Sequence, residues 1–143
     1  MAKGDNEPVF SKFSKVDQIG IIVKDVEATV KFYEEMFGIE SLPAVDFELG
    51  FAKLRVGMLR LGELQIELIQ VLEGKSIHSK FIEERGGGLH HLGFFVEDVE
   101  KELARLGKYG IKVLERGEAF GVKFAYLDTE KTLGFVLELL QPN

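Results

Sequence analysis

Residues 16–27 (VDQIGIIVKDVE) and residues 89–100 (LHHLGFFVEDVE) align without a gap, and five of the twelve aligned pairs are identical. A second repeat closes each half of the chain, because residues 64–70 (LQIELIQ) match residues 135–141 (FVLELLQ), with Glu67 aligned on Glu138. The sequence therefore predicts two similar halves, related by a pseudo-twofold axis that brings equivalent positions together.

The first half has the pattern of a strand, a helix and a hairpin. Residues 16–23 are apolar and rich in β-branched side chains, which predicts a strand. Asp25 is a suitable N-cap for the helix that follows, and the helical spacing of apolar residues ends at Gly38. We predict one strand over residues 48–59, a turn at 61–63 and a return strand over 64–71.

The second half repeats this order. A strand over residues 89–96 leads to Asp98 as the helix cap, a helix runs to Gly107, and strands follow near 112–114, 123–127 and 135–140. Residues 14–143 are expected to form one domain, divided into a first module (14–74), a linker with a short helix (75–88) and a second module (89–143). Residues 1–13 are expected to be a flexible tail.

Composition excludes several classes of protein. The 143 residues include no cysteine, which excludes a disulfide framework and a thiolate nucleophile. The formal net charge of −6 argues against nucleic acid as a partner. No apolar run is long enough to span a bilayer, and residues 1–14 contain no signal-peptide core, so we expect a cytoplasmic protein without a membrane partner.

Four polar residues occupy equivalent places in the two halves: Gln18 aligns on His91, and Glu67 on Glu138. Strand alternation puts each on the face opposite to the uniformly apolar one. A solvated face of a half-buried sheet would explain any one of them, but Glu138 lies within the strongly apolar stretch FVLELL, where a lone carboxylate is costly. Together they predict a metal site, and this oxygen-rich set suits a divalent ion such as Zn, Co, Ni or Mn.

The other two histidines are predicted to lie outside this site. Alternation along the strand points His90 to the face opposite to His91, where it would pack or form a hydrogen bond. His78 falls in the polar linker and is expected at the surface.

The doubled unit, with the stretches GGGLHHLGFFVEDVE and GFVLELLQ, resembles the vicinal oxygen chelate superfamily, which includes glyoxalase I, bleomycin-resistance proteins and extradiol dioxygenases. Within it the chain is most similar to the methylmalonyl-CoA epimerases. The resemblance covers about residues 14–142. It implies an α+β fold in which tandem βαβββ modules form one curved mixed sheet, and it implies a homodimer.

The resemblance also implies chemistry and residue roles. His91 and Glu138 match metal ligands of the family, and Glu67 matches its usual third ligand. Glu48, through its Glu-x-Gly context, matches a catalytic glutamate, so Glu48 and Glu138 are the expected pair of bases. The implied activity is a metal-dependent epimerase that removes and returns the α-proton of a methylmalonyl-CoA-like acyl thioester through a metal-stabilised enolate.

Departures from the family pattern leave alternatives open. Gln18 stands where the epimerases usually have histidine, and glutamine there is similar to eukaryotic glyoxalase I, a lactoylglutathione lyase. A dioxygenase is disfavoured because its iron site normally uses two histidines. A metal-free small-molecule-binding protein of the bleomycin-resistance kind is the remaining alternative.

Overall fold

The computed structural model describes residues 15–143, so the tail expected at residues 1–13 lies outside the described part of the chain. Eight strands and four helices follow one another in this range. In chain order they are β1 (Gln18–Ile22), α1 (Val26–Phe37), β2 (Val45–Leu49), β3 (Phe51–Leu61), β4 (Leu64–Lys75), α2 (Ile77–Arg85), β5 (Gly88–Phe95), α3 (Val99–Gly107), β6 (Val113–Ala119), β7 (Val122–Leu127), α4 (Glu130–Leu133) and β8 (Val136–Pro142).

All eight strands form one mixed sheet in the order β2-β3-β4-β1-β5-β8-β7-β6. β1 runs parallel to β4, β5 runs parallel to β8, and β1 and β5 pair antiparallel at the centre. Strands β1, β2, β3 and β4 of the first half correspond to β5, β6, β7 and β8 of the second, and corresponding strands lie at equal distances from the β1–β5 pair. A pseudo-twofold axis between β1 and β5 requires this arrangement. The predicted fold class, tandem βαβββ units in a curved mixed sheet, is confirmed.

The two halves also repeat their helix-capping contacts. The Asp25 side chain accepts a hydrogen bond from a backbone N–H in the first turn of α1 at 3.1 Å, and Asp98 does the same for α3 at 3.1 Å. Gln70 accepts from the first N–H of α1 at 2.9 Å, and Gln141 from that of α3 at 2.8 Å. These contacts satisfy N–H groups that have no partner within the helix, so both helices begin where the sequence predicts.

The curved sheet has two differently covered faces. Helices α1 and α3 pack on the convex face, over cores that contain Val26 with Leu68 and Val99 with Leu139. Helix α2 packs Phe81 into the concave core. The two ends of the sheet approach each other, and the rings of Phe47 on β2 and Phe120 in the β6–β7 turn lie 5.3 Å apart, so the sheet encloses a nearly barrel-shaped interior.

The predicted strand over residues 48–59 begins too early and the prediction lacks β2, because the chain turns back near the start of that range. Gly50 has φ 60° and ends β2, and Leu49 then pairs with Ala52 across a tight hairpin. A positive φ is nearly free of steric cost only for glycine, so Gly50 decides the turn. The short helix α4 was not predicted either. None of the helices in residues 15–143 has the length and apolarity needed to cross a membrane.

Candidate metal centre

The concave side of the sheet holds a cavity of about 290 Å³. Its wall is mainly apolar, and none of the described lining residues is a lysine or arginine. The polar lining comes from β1 and β4 on one side of β5 and from β8 and β7 on its other side, and these residues form the polar region of the wall. The aromatic residues of the wall are Phe47, Phe95, Phe120, Phe124 and Tyr126, and its amides and carboxyls are Gln18, Gln65, Glu67 and Glu138.

Three of the four predicted ligands come together at this polar region. His91 is fully buried, and its Nε2 lies 3.1 Å from Glu67 Oε1 and 3.2 Å from Glu138 Oε1. The three ligand atoms are close enough to one another to hold one metal ion. Glu67 and Glu138 approach from opposite sides of the central β1–β5 pair, because β4 flanks β1 and β8 flanks β5.

The glycines of the repeat make room for these side chains. Gly20 lies between Glu67 on β4 and His91 on β5, and a Cβ placed on it would come within 1.9 Å of the His91 ring. Gly93 is the equivalent residue and lies between Glu138 on β8 and Gln18 on β1. Each half thus supplies a glycine beside the polar side chain of the other half, which explains in steric terms why the repeat keeps glycine at both positions.

Gln18, the fourth predicted ligand, lines the same cavity and is buried. Its Nε2 donates to Gln65 Oε1 at 3.3 Å, which leaves the amide oxygen pointing elsewhere. That oxygen is buried and has no hydrogen-bond partner. An unpaired buried acceptor is costly, so the geometry suits an amide oxygen that ligates a cation.

The buried charges strongly influence one another. Burial, reinforced by Glu67, raises the pKa of Glu138 to about 8, although His91 and a hydrogen bond from Tyr126 act in the opposite direction. Burial lowers the pKa of His91, but Glu138 and Glu67 outweigh it and that pKa is raised. Burial and the same two carboxyls hold the pKa of Tyr126 well above 10.

The donor set fits a divalent metal ion. Two carboxyls can neutralise a divalent charge, one imidazole and one amide complete a set of nitrogen and oxygen donors, and four ligands leave positions open for a substrate. Glu138 Oε1 supports this fit, since it is buried without a well-aligned hydrogen bond and lies 3.2 Å from His91 Nε2. Gln18 Oε1 supports it in the same way.

The predicted face of His90 and the predicted surface position of His78 are wrong, although His90 packs and lies at hydrogen-bond distance from a partner as expected. A β-bulge leaves His90 unpaired while Gly20 pairs with His91 and Ile21 with Leu89, and the strict alternation of side chains is lost there. His90 is consequently buried, and its Nδ1 lies 2.9 Å from Nδ1 of His91. Burial, with the charges of His91 and Arg85, lowers the pKa of His90 to about 3.

His78 is fully buried rather than at the surface, because α2 packs across the concave side of the sheet. Its ring lies 5.2 Å from that of His90 and 5.4 Å from that of Tyr126. Burial, together with His90 and His91, lowers its pKa well below 6.5. The sequence signal that could have indicated this burial was the amphipathic spacing of Ile77, Phe81 and Ile82 in the linker helix.

The structure does not bring Glu48 to the cavity. Its neighbours Phe47 and Leu49 line the cavity, and the alternation along β2 turns Glu48 to the other face, where it is exposed. The two carboxyls that line the cavity are Glu67 and Glu138.

Residues 17–126 match the family described as the Glyoxalase/Bleomycin resistance protein/Dioxygenase superfamily, and the chain belongs to this superfamily. Among its relatives is an ethylmalonyl-CoA/methylmalonyl-CoA epimerase of Cereibacter sphaeroides, 30% identical over 89% of this chain and 97% of that protein. The uncharacterized protein YqjC of Bacillus subtilis is also 30% identical, over 91% of this chain and 94% of YqjC.

A solved structure shows the same likeness in three dimensions. Streptomyces coelicolor methylmalonyl-CoA epimerase, as a variant in complex with 2-nitronate-propionyl-CoA, superposes with a TM-score of 0.77 at 27% identity. The match covers 91% of this chain and 95% of the epimerase. These relatives support an isomerase of the epimerase kind.

Proposed function

We propose that Gln18, Glu67, His91 and Glu138 hold a divalent metal ion, such as Zn, Co, Ni or Mn, at the wall of the cavity. The observation that carries this proposal is the close group formed by Glu67, His91 and Glu138, in which both carboxyls lie within 3.2 Å of one imidazole nitrogen. A bound ion would act as a Lewis acid and stabilise the negative charge that develops on a substrate carbonyl oxygen.

The reaction that this site supports best is epimerisation of an acyl thioester of the methylmalonyl-CoA type. The support is twofold: two relatives carry an epimerase name, and the cavity combines an apolar wall with two carboxyls. An epimerase must remove the proton beside the thioester carbonyl and return one on the opposite face. It therefore needs general bases placed within reach of one carbon atom.

Glu138 and Glu67 are the groups to which we assign the proton transfers. Glu138 is buried at the wall of the cavity, where its carboxylate can reach a proton of a bound substrate. Glu67 reaches the same region from the other side of the β1–β5 pair, as a two-base epimerisation requires. This assignment replaces Glu48, the base inferred from the resemblance, with Glu67, because Glu48 is exposed on the other face of β2.

A glyoxalase I-like lyase is the second candidate. Gln18 favours it, since its amide oxygen lies buried and unpaired beside the cavity, as a glutamine ligand would. In that reaction Glu67 and Glu138 would move a proton between adjacent carbons of a thiol–oxoaldehyde adduct. The residues are the same in both proposals, so the substrate distinguishes them.

The test is proton exchange in deuterated water. Racemic methylmalonyl-CoA incubated with metal-loaded protein should gain deuterium at the α-carbon, measured by mass spectrometry, while Glu138→Gln gives only the background rate. Methylglyoxal with glutathione is the parallel substrate for the lyase. Thioester formation from that mixture, with no deuterium gain in methylmalonyl-CoA, would establish the lyase and contradict the epimerase.

Metal analysis tests the third alternative, a metal-free binding protein. Protein dialysed against each ion in turn should retain one equivalent, measured by plasma emission spectroscopy. Retention of no ion would refute the metal proposal. The homodimer and the cytoplasmic location stay predictions, and light scattering in solution would test the first of them.

A further inference from the structure

His90 is buried, lies beside the proposed metal centre and has no part in the chemistry proposed above. It is the extra residue of the β5 bulge, and this irregularity turns its ring to the same side of the sheet as that of His91. Bulges of this kind occur next to active sites, where they redirect a side chain. A regular strand would have placed His90 on the opposite face.

Two aromatic rings pack against the ring of His90, and a ring nitrogen of His91 faces it. The Phe81 ring packs edge-on against it with centroids 5.0 Å apart, and the His91 ring does so at 5.2 Å. Its Nδ1 faces Nδ1 of His91 at 2.9 Å, which is hydrogen-bond distance. One of these two nitrogens must therefore carry the hydrogen and the other must accept it.

The direction of this hydrogen bond decides whether His91 can bind a cation. His91 Nε2 faces both carboxyls, so it is the nitrogen available to a metal ion and must then carry no hydrogen. The hydrogen of a neutral His91 then lies on Nδ1, and His90 Nδ1 has to accept it. Metal-bound histidines commonly donate their second N–H to such a partner, which fixes the tautomer and the ring orientation.

We propose that His90 is a positioning residue that accepts the Nδ1–H of His91, keeping Nε2 of His91 directed at the metal ion. This inference rests on the proposed metal site. In this role His90 acts through His91 and is not itself a ligand of the ion. Its effect is on the affinity for the ion, because without this acceptor the hydrogen of a neutral His91 can lie on Nε2, and it must leave Nε2 before an ion binds.

The experiment compares three variants by their dissociation constants for Zn²⁺ and Co²⁺, measured by competition with a chelating dye. His90→Leu removes the acceptor, and we expect it to weaken binding roughly 10- to 100-fold. His90→Asn keeps an acceptor oxygen near the position of Nδ1 and should recover most of this loss. Phe81→Leu is the matched control: it disturbs the packing of the His90 ring but keeps the acceptor, so its affinity should stay within about threefold of wild type.

A spectroscopic readout tests the hydrogen bond directly. In the Zn²⁺-loaded wild type, the Nδ1 proton of His91 should give a downfield ¹H–¹⁵N resonance that exchanges slowly with water. His90→Leu should lose this slow exchange, and Phe81→Leu should keep it.

Three outcomes would overturn the proposal. The first is an affinity of His90→Leu within about threefold of wild type. The second is a His90→Asn variant no better than His90→Leu, and the third is a Phe81→Leu variant as weak as His90→Leu. A wild type that binds no ion would refute the metal site itself, and this role of His90 with it, whereas normal wild-type binding with any of the three outcomes refutes only the role of His90.

Discussion

Gly20→Ala should be unusually damaging for a substitution that adds a single methyl group. A Cβ at this position would lie 1.9 Å from Cε1, 2.1 Å from Nε2 and 2.3 Å from Nδ1 of His91. Carbon atoms in van der Waals contact are about 3.5–4.0 Å apart, so the imidazole would have to move by more than an ångström. His91 is fully buried beside Glu67 and Glu138, so a movement of this size would disturb its contacts with both carboxyls.

The cost follows from two known effects. Overpacking of a buried site costs about 1–3 kcal/mol, and forcing the His91 ring away from its rotamer adds about 0.5–1.5 kcal/mol. Together they destabilise the fold by roughly 2–4 kcal/mol, which corresponds to a decrease in Tm of roughly 5–15 °C for a domain of this size. The displaced imidazole should also lose its affinity for metal ions.

Calorimetry of the metal-free proteins would measure this cost, with Gly93→Ala as the matched control. A Cβ on Gly93 would meet Leu140 Cδ1 at 2.9 Å and Gln18 Cβ at 3.1 Å, and the end of a leucine can shift, so its cost should be only about 1 kcal/mol. In a double-mutant cycle, His91→Ala should remove most of the cost of Gly20→Ala. The steric reasoning is refuted if Gly20→Ala melts within about 2 °C of wild type, or if its cost persists without the imidazole.

Three further predictions follow from the site. Glu138→Gln should reduce α-proton exchange about 10²- to 10⁴-fold. Glu48→Gln changes an exposed residue on the other face of β2 and should stay near the wild-type rate. Equal losses in the two variants would contradict the assignment of bases. His91→Ala should retain no stoichiometric ion after dialysis, and full retention measured by plasma emission would show that the ligand set is wrong. In the metal-free protein the pKa values of Glu138 and His91 are raised, whereas those of His78 and His90 are lowered. Above about pH 6.5 unfolded histidines have lost most of their protons, so the folded state holds more protons than the unfolded state and stability should fall as the pH rises from about 6.5 to about 8. Glu138→Gln should flatten this decline in Tm, and a wild-type Tm that rises over the same range would contradict it.

The repeat made the fold predictable. The identical residues of the two halves include the helix caps Asp25 and Asp98, and both caps form with the same hydrogen bond. The alignment of Glu67 on Glu138 in the repeat predicted two carboxyls at equivalent strand positions, and the structure brings both to one imidazole. Such features depend on local preference and on symmetry, and both can be read from one chain.

The errors in the predicted positions of His90 and His78 have a different physical cause. The burial of His90 depends on a bulge, which arises from the pairing of β5 with a strand about seventy residues earlier in the chain. His78 is buried because the sheet curves and α2 packs into the concave core, and the only local sign of this is the apolar spacing of Ile77, Phe81 and Ile82. Both outcomes depend on long-range packing rather than on local sequence. Glu48 lies outside the cavity lining, and the strand alternation that turns it away, with Phe47 and Leu49 as its apolar neighbours, is visible in the sequence.

Gly20 of the first half lies beside His91 of the second, and Gly93 of the second half lies beside Gln18 of the first. Neither half of the chain can therefore assemble the polar centre by itself. Any ion held there would join the first half through Gln18 and Glu67 to the second half through His91 and Glu138. An ion that binds only the joined halves stabilises them by mass action, by about 2.7 kcal/mol at one hundred times its dissociation constant. A chelator that removes the ion would thus weaken the contact between the halves at the β1–β5 pair. Resistance of the linker that contains α2 to proteolysis would then be a measure of metal occupancy.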